Sequence, residues 1–276
     1  MTAGKNKQTG IDLQYQVLRG SSGNMKVIKA GEVDLVVTSP PYFPDEIEPL
    51  LRKPLAEQND YERIEKAITE FALSLRPSFQ EVKRVLKPGG ALVVQTKDIR
   101  YGQFLVPLIE LHLDLAVNSG FRLVSRIHWL STPGSRTRLP KFSQSRRRGE
   151  FRVLDTEVFL VFGHETGIDP GSRVESLDKA AAMELIQPLW RKPQSGGKRT
   201  HKYGSPRSVV HQLIDLYSEP GELVLDPFVG YGTTMIEARK LGRHAVGYDT
   251  DGQCVTITED NLDLAAQKAG GDDEIE

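Results

Sequence analysis

The six residues 38–43, Thr-Ser-Pro-Pro-Tyr-Phe, place a hydroxyl, two prolines and two aromatic rings directly after a valine-rich apolar run, residues 33–37. Neither proline has an N–H to donate, and a residue that precedes proline is held extended, as Ser39 is here. An extended backbone presents its carbonyl oxygens as hydrogen-bond acceptors, and the Tyr42 ring can stack on a flat ligand. Such a combination suits a planar heterocycle that carries an exocyclic amino group. The alternative is an ordinary exit from a strand, in which the prolines only end the hydrogen-bonded ladder.

A second stretch, residues 226–234 (Asp-Pro-Phe-Val-Gly-Tyr-Gly-Thr-Thr), follows a short apolar strand predicted at residues 223–225. Its two glycines let the backbone pass close to a ligand that a Cβ would block. Asp226 can hydrogen-bond or pair with an ammonium group, and Phe228 can cover an apolar part of a ligand. Asp249 ends the next predicted strand 23 positions after Asp226, near the offset of about 20 residues expected for a ribose-binding acid. The layout predicts a nucleoside-cofactor half-site, with a plain β–α turn as the alternative.

Both stretches resemble parts of one protein family. Residues 39–42 look like the catalytic loop of the amino-group DNA methyltransferases, whose pattern is Asp, Asn or Ser, then Pro-Pro, then an aromatic residue. Residues 226–234 resemble the S-adenosylmethionine loop of the same family. Because the catalytic loop comes first, the chain is similar to the permuted subgroup usually called the beta class. The resemblance covers roughly residues 34–42, 86–94 and 201–249.

The resemblance implies a set of site residues. The implied catalytic residues are Ser39, Pro40, Pro41 and Tyr42. The residues implied to bind the cofactor, S-adenosylmethionine, are Asp226, Pro227, Phe228, Gly230, Gly232, Thr233, Thr234 and Asp249. His201 and Ser205 join this group because residues 201–206 look like the subgroup's cofactor-supporting segment, although Lys202 departs from its usual His-Pro beginning.

The implied mechanism is direct methyl transfer to an amino nitrogen of a nucleic-acid base. The Ser39 side chain and the Pro40 carbonyl would accept the amino hydrogens, while Tyr42 stacks on the base. A base inside a duplex must first be flipped out, at a cost of about a few kcal/mol. Stacking, worth roughly 1–3 kcal/mol per base, can offset much of that cost.

The first residue of the catalytic loop bears on which base is methylated. In the family, Ser-Pro-Pro-Tyr goes mostly with the N4 amino group of cytosine and Asp-Pro-Pro-Tyr mostly with adenine. Ser39 therefore favours N4-cytosine, with N6-adenine as the alternative. Two further alternatives are an RNA or protein-glutamine methyltransferase, which usually carries Asn first and its cofactor loop upstream, and a DNA-binding relative without catalysis.

Basic residues are concentrated in two segments, although the formal net charge of the whole chain is only −1. Residues 122–152 contain nine Lys and Arg residues against one acid, and residues 191–207 contain six more and no acid. Such clusters fit a protein that meets phosphate on one face, with solvated loops as the alternative. We expect residues 131–200 to form a loop-rich basic insertion that serves as the target-recognition region. The residues expected to contact DNA are Phe43, Arg136, Arg138, Arg146, Arg147 and Arg148.

Length and composition predict one domain over residues 1–276, with 38% hydrophobic and 26% charged residues. Cys254 is the only cysteine, and so low a cysteine content favours a reducing, cytoplasmic setting. We expect Cys254 to lie in the core. The histidines lack metal-ligand spacing, so we expect no bound metal. No apolar run is long enough to cross a membrane, so we expect no membrane partner. Double-stranded DNA is the expected partner; a separate restriction endonuclease and a homodimer are left open.

The pattern of elements predicts the α/β class: a Rossmann-like, doubly wound, mixed but mostly parallel sheet. Predicted strands cover residues 33–37, 91–94, 121–130, 158–162, 223–225 and 244–248. Predicted helices cover residues 61–75, 79–86, 104–118, 177–186, 206–216 and 233–241, with one more at the end and a short one before residue 33. Residues 1–10 are expected to be disordered and residues 44–58 to form a long loop. Asp98, soon after a strand, is either an ordinary loop acid or an acid that faces the pocket.

Overall fold

The structure is a computed structural model that describes residues 2–5, 12–51, 61–101, 104–130, 157–164, 168, 187–190 and 206–271. Its strands are β1 (Thr2–Lys5), β2 (Asp12–Arg19), β3 (Val33–Thr38), β4 (Leu86–Thr96), β5 (Ile99–Tyr101), β6 (Phe104–Val106), β7 (Phe121–Trp129), β8 (Glu157–His164), β9 (Leu189–Trp190), β10 (Leu223–Asp226) and β11 (His244–Asp249). Its α-helices are α1 (Glu48–Leu51), α2 (Tyr61–Ser74), α3 (Arg76–Val85), α4 (Leu108–Asn118), α5 (Arg207–Tyr217), α6 (Thr233–Lys240) and α7 (Gly252–Gly271).

Nine of the described strands form one sheet in the order β1-β2-β11-β10-β3-β4-β8-β7-β9. The five strands from β2 to β4 in this order are parallel to one another. Strand β8 is antiparallel to β4 and to β7, while β1 is antiparallel to β2. The predicted mixed but mostly parallel sheet is confirmed.

Helices cover both faces of the sheet, as the side chains on the two faces of β3 show. Leu35 and Val37 belong to a hydrophobic cluster with α5 and α6, whereas Val36 belongs to a second cluster with α3 and α4. These three side chains are at most 2% exposed. Burial on both faces explains why Leu35, Val36 and Val37 are three consecutive apolar residues instead of alternating with polar ones. Each such side chain stabilises the fold by about 1.5–3 kcal/mol.

A third, smaller hydrophobic cluster lies under the loop that follows β3. Ile64 and Ile68 of α2 are fully buried there, together with Ile47 and Val106. Tyr42, like its neighbour Phe43, packs against this cluster from the predicted catalytic loop. The cluster therefore supports that loop independently of the main core.

Several elements differ from the prediction because tertiary contacts decide them. Residues 2–5 form a strand, since their backbone pairs with β2. The helix expected from residue 104 begins at Leu108, because β6 pairs with β5 in a hairpin and Pro107 separates β6 from α4. The short helix expected before Val33 is replaced by turns.

Two expected regions contain more structure than the sequence indicated. The long loop predicted at residues 44–58 holds a 3₁₀ turn (Asp45–Ile47) and the single helical turn α1 in its described part. Within the expected insertion 131–200, the structure describes the sheet strands β8 and β9. The helix predicted at residues 177–186 lies outside the described residues. Among the helices that are described, none combines the length and the apolar character that crossing a bilayer requires.

Candidate active site

The two predicted loops leave the same edge of the sheet, side by side. Strands β3 and β10 are parallel neighbours, and the chain runs from β3 to β4 on one side and from β10 to β11 on the other. Such a divergence is a topological switch point, where open α/β sheets bind ligands beyond the carboxyl ends of their strands. Thr38 ends β3 and Asp226 ends β10, and Thr38 Oγ1 donates a hydrogen bond to Asp226 Oδ1 at 2.7 Å. The loop at Ser39 therefore begins beside the glycine loop, although 188 positions separate Thr38 and Asp226.

Asp226 is buried at the root of the glycine loop. Its Oδ1 accepts hydrogen bonds from Thr38 Oγ1 and, at 3.1 Å, from the Phe228 N–H. Burial raises the pKa of Asp226 to about 6, and the negative charge of Asp249 adds to this rise. The Thr38 hydroxyl and the Phe228 N–H, which donate to this carboxylate, act in the opposite direction, because they stabilise its charged form. The direct bond to a cofactor ammonium that we expected of Asp226 stays a prediction.

The glycine loop has a backbone that requires glycine at two positions. Gly230 and Gly232 have φ angles of +50° and +80°, in the left-handed region. A Cβ on Gly232 would lie only 2.6 Å from Cγ2 of Thr258. A Cβ on Gly230 would meet nothing closer than the Phe228 carbonyl oxygen, at 4.0 Å. The loop is thus packed closely against α7 at Gly232 and open at Gly230, where a ligand can approach the backbone.

Side chains from two neighbouring elements hold this loop in place. Asp249, at the end of β11, accepts the Gly230 N–H at Oδ2 (3.0 Å) and the Asp251 N–H at Oδ1 (2.9 Å). Thr258 Oγ1 of α7 donates to the Gly230 carbonyl at 2.8 Å. Each carboxylate oxygen can accept more than one hydrogen bond, so Asp249 keeps acceptor capacity for the hydroxyls of a ribose. The residues present at this edge therefore fit a nucleoside cofactor.

The loop after β3 presents its polar atoms beside an aromatic ring. Pro40 is buried, Pro41 is exposed, and Ser39, Tyr42 and Phe43 are partly buried. Ser39 Oγ lies 3.5 Å from the Tyr42 hydroxyl oxygen, at the outer limit of a hydrogen bond. The Ser39 oxygen has two lone pairs and can accept a hydrogen bond from another donor.

The structure adds Lys97 to this site, a residue that belongs to neither of the two predicted motifs. Lys97 directly follows β4, the parallel neighbour of β3, and its Nζ lies 5.8 Å from the centroid of the Tyr42 ring. Its Nζ also lies 3.9 Å from a carboxylate oxygen of Glu157. A cation over an aromatic face is attracted by the ring's negative quadrupole. The signal available in the sequence was its place just beyond a buried parallel strand.

Asp98, predicted to be either an ordinary loop acid or an acid that faces the pocket, accepts a hydrogen bond from the start of α4. Its Oδ1 accepts the N–H of Ile109 at 3.2 Å, in the first turn of α4. Burial raises the pKa of Asp98, while the bonds from the backbone of Ile109 and Leu108 lower it. Asp98 thus satisfies N–H groups that the helix itself leaves without partners.

Cys254 lies beside the cofactor edge and not in the core, contrary to our expectation. The residue is partly exposed near the start of α7, with its Sγ 3.8 Å from Asp251 Oδ2. Burial raises the pKa of the Cys254 thiol to about 11, and the charges of Asp249 and Asp251 contribute to this rise. The thiol is therefore protonated at neutral pH, because the adjoining carboxylates disfavour a thiolate. Helical periodicity placed Cys254 on α7 but could not show which face of that helix is covered.

Seven of the predicted site residues lie outside the described residues: His201, Ser205, Arg136, Arg138, Arg146, Arg147 and Arg148. Their roles stay predictions. Pro227 is buried within the glycine loop, Thr233 and Thr234 begin α6, and the Thr234 hydroxyl donates to the Val37 carbonyl at 3.3 Å.

The family model and the related proteins that match this chain are all named methylases or methyltransferases. The model of the N6/N4 methyltransferase family, described as DNA methylase, matches residues 33–260. The chain is 27% identical to the type II methyltransferase M.MjaI of Methanocaldococcus jannaschii, over 96% of this chain and 97% of that protein. It is 26% identical to the type II methyltransferase M.MthZI of Methanothermobacter thermautotrophicus, over 90% of this chain and 76% of that protein.

Two solved structures share the fold. The TTHA0409 protein of Thermus thermophilus, complexed with S-adenosyl-L-methionine, aligns with a TM-score of 0.66 and 22% identity, over 92% of this chain and 96% of that chain. The PvuII DNA methyltransferase, named as cytosine-N4-specific, aligns with a TM-score of 0.65 and 17% identity, over 92% of each chain.

Proposed function

Because the chain belongs to the N6/N4 family of DNA methylases, we propose that it transfers a methyl group from S-adenosylmethionine to the N4 amine of a flipped cytosine in double-stranded DNA. The observation that carries the proposal is the hydrogen bond from Thr38 to Asp226, which sets the Ser39 loop beside the glycine loop at one sheet edge. A methyl donor held by one loop and an acceptor held by the other would then meet between them.

The cofactor half of the site is assigned to the ends of β10 and β11. Asp249 would accept hydrogen bonds from the ribose hydroxyls, since its two oxygens are already oriented by backbone N–H groups. The open side of Gly230 would lie against the cofactor, and Phe228, which is partly buried, would cover an apolar part of it. When bound, S-adenosylmethionine supplies a methyl group that its sulfonium sulfur makes electrophilic.

The residues of the catalytic loop act on the methyl acceptor. The lone pair of an amino nitrogen on cytosine is delocalised into the ring, which makes the nitrogen a poor nucleophile. Ser39 Oγ and the Pro40 carbonyl would accept hydrogen bonds from its two N–H groups and so draw the nitrogen toward tetrahedral geometry. As the bond from nitrogen to the methyl carbon forms, the bond from that carbon to sulfur would break with its electron pair left on sulfur, and the surplus proton of the nitrogen would pass to solvent. Tyr42 would stack on the base and offset part of the cost of flipping, with Lys97 on the ring of Tyr42 to hold it in place. Most of the rate acceleration would then come from holding donor and acceptor in line.

The choice of cytosine rests on Ser39, because Ser-Pro-Pro-Tyr goes mostly with N4 methylation in the family that the chain resembles. The cytosine-N4-specific PvuII enzyme is one of the proteins that share this fold. N6-adenine is the alternative. We further propose that a restriction endonuclease on a separate chain cuts the same target sequence, since the relatives are named type II methyltransferases.

The test is incubation of plasmid DNA with methyl-labelled S-adenosylmethionine, followed by nucleoside mass spectrometry. We expect N4-methylcytosine, and we expect Ser39→Ala to abolish the signal while cofactor binding, measured by calorimetry, stays close to that of the unaltered protein. Detection of N6-methyladenine instead would establish the alternative base. A protein that binds the cofactor but labels neither base in DNA would refute the proposal.

A further inference from the structure

Resting on the proposed function, we infer that Thr38 is a positioning residue that holds the methyl-acceptor loop in register with the methyl-donor loop. Thr38 directly precedes Ser39, and its hydroxyl reaches Asp226 at the root of the glycine loop. Its side chain is 4% exposed, so the bond is protected from competing water.

The backbone pairing of the two strands explains why a side chain is needed here. Strands β3 and β10 pair at Leu35 with Val224 and at Val36 with Leu225, and their backbone pairing ends there. On its other side β3 stays paired with β4 as far as Thr38 and Val94. The ends of β3 and β10 therefore part just below the cofactor edge, where the switch point opens.

Two hydroxyl groups bridge the strands where the ladder has ended. Thr38 Oγ1 donates to Asp226 Oδ1 at 2.7 Å, and Thr234 Oγ1 donates to the Val37 carbonyl at 3.3 Å. The Thr38 bond joins the end of β3 to the end of β10, and the Thr234 bond joins the start of α6 to β3. The strand that precedes the Ser39 loop is thus bonded to residues on both sides of the glycine loop.

We expect these two hydrogen bonds to affect the rate of methyl transfer more than the binding of the cofactor or of DNA. Methyl transfer needs the sulfur, the methyl carbon and the acceptor nitrogen in line, and a misplacement of about 1 Å can lower the rate about 100-fold. Of the residues expected to bind the cofactor, Asp249, Phe228 and Gly230 make no contact with the Thr38 hydroxyl, whereas Asp226 accepts its hydrogen bond. Loss of the Thr38 hydroxyl should therefore lower kcat by a much larger factor than it raises the Kd for the cofactor.

The protonation of Asp226 gives a second readout. Burial raises its pKa to about 6, and the Thr38 hydroxyl with the Phe228 N–H holds it below the value that burial alone would give. Among the described residues, the other charged group that acts on it is Asp249, which raises the pKa. Without the Thr38 hydroxyl, the pKa of Asp226 should rise further, and NMR of the Asp226 carboxyl carbon measures this rise directly.

The experiment compares Thr38→Val, Thr38→Ser and the unaltered full chain. For Thr38→Val we expect a single-turnover rate about 100-fold lower, a much smaller change in the cofactor Kd, and a higher pKa of Asp226. Thr38→Ser keeps the hydroxyl, so its rate and the pKa of Asp226 should return toward those of the unaltered chain. Thr38→Ala also lacks the hydroxyl and should behave as Thr38→Val does, so it replaces the valine variant if that variant does not fold.

The outcomes separate this inference from the proposed function. If the unaltered chain methylates DNA and Thr38→Val keeps its full rate, the inference is wrong and the proposed function stands. If the rate and the cofactor affinity fall by the same factor, and serine does not restore them, Thr38 is only structural and the inference again fails. If the unaltered chain binds no cofactor and labels no DNA, the proposed function itself has failed.

Discussion

The backbone N–H of Gly230 donates to Oδ2 of Asp249 across 3.0 Å, so the acid at the end of β11 holds the glycine loop that follows β10. The other oxygen of Asp249 accepts the N–H of Asp251. This one carboxylate therefore fixes two backbone segments at the cofactor edge and is itself fixed by them.

Replacement of Asp249 with asparagine should weaken cofactor binding. One acceptor oxygen becomes an NH₂ group, which must face a backbone N–H from which it cannot accept a hydrogen bond. A hydrogen bond to a charged group contributes about 1.5–3 kcal/mol, so the Kd for S-adenosylmethionine should rise about 10- to 100-fold in calorimetry. Asp263→Asn, on the exposed side of α7, is the matched control and should bind normally. An unchanged Kd for Asp249→Asn would contradict the role of this residue.

Replacement of Gly232 with alanine should destabilise the fold more than the same change at Gly31. Both residues have a left-handed backbone, with φ of +80° and +64°, so both variants carry strain of about 1–3 kcal/mol. A Cβ at Gly31 meets nothing within 4 Å, whereas one at Gly232 overlaps Thr258. Urea unfolding should show an additional loss of about 1–3 kcal/mol for Gly232→Ala. Equal losses for the two variants would show that contact with Thr258 does not restrict the glycine loop.

Replacement of Lys97 with methionine should slow methylation modestly. The variant keeps a long apolar stem but removes the cation that lies 5.8 Å from the centroid of the Tyr42 ring. A cation–π contact that is still in touch with water is worth about 0.5–1 kcal/mol, so kcat/KM for DNA should fall about two- to fivefold. Lys66→Met serves as the control, because Lys66 lies on the exposed surface of α2, where it forms an ion pair with Glu70. A fall of the same size in both variants would assign the effect to lost surface charge.

His112 should make the stability of the fold depend on pH. This residue of α4 is fully buried, its Nδ1 lies 2.8 Å from Thr96 Oγ1, and its ring stacks on Phe79. Burial lowers the pKa of His112 from 6.5 to about 4. Between these two values the unfolded chain binds a proton that the folded chain does not, so the free energy of unfolding falls as the pH falls through this window. The full effect is about 3 kcal/mol.

The measurement is urea unfolding at several pH values between about 7 and 4 for the unaltered chain, His112→Gln and His128→Gln. His112→Gln removes the titrating group and should lose less stability on acidification than the other two, since His128 is exposed on β7. Asp226, whose pKa is raised, acts in the opposite direction below pH 6, which is why the comparison between variants is needed. Parallel pH curves for all three proteins would contradict this account of His112.

Much of the fold could be predicted from the sequence because its signals are local. The valine-rich run of β3 closed by two prolines, the glycines after β10 and the apolar stripe of α5 are each set by neighbours within a few residues. The order of β3, β4, β7, β8, β10 and β11 follows from these signals, and so does the mostly parallel sheet, whereas β1, β5, β6 and β9 were not predicted. The candidate site residues from Ser39 to Tyr42 and from Asp226 to Asp249 were found in the same way, since motif spacing and strand ends are visible in one dimension.

Only the tertiary structure decided which distant residues touch. The bond between Thr38 and Asp226, the place of Lys97 against the Tyr42 ring, and the exposure of Cys254 depend on how strands and helices pack. The start of α4 at Leu108 is likewise set by pairing of β6 with β5. Local patterns indicate which face of an element is apolar, but they do not indicate which element covers that face. The covering element depends on the order of the strands in the sheet, which brings together strand ends that lie far apart in the chain.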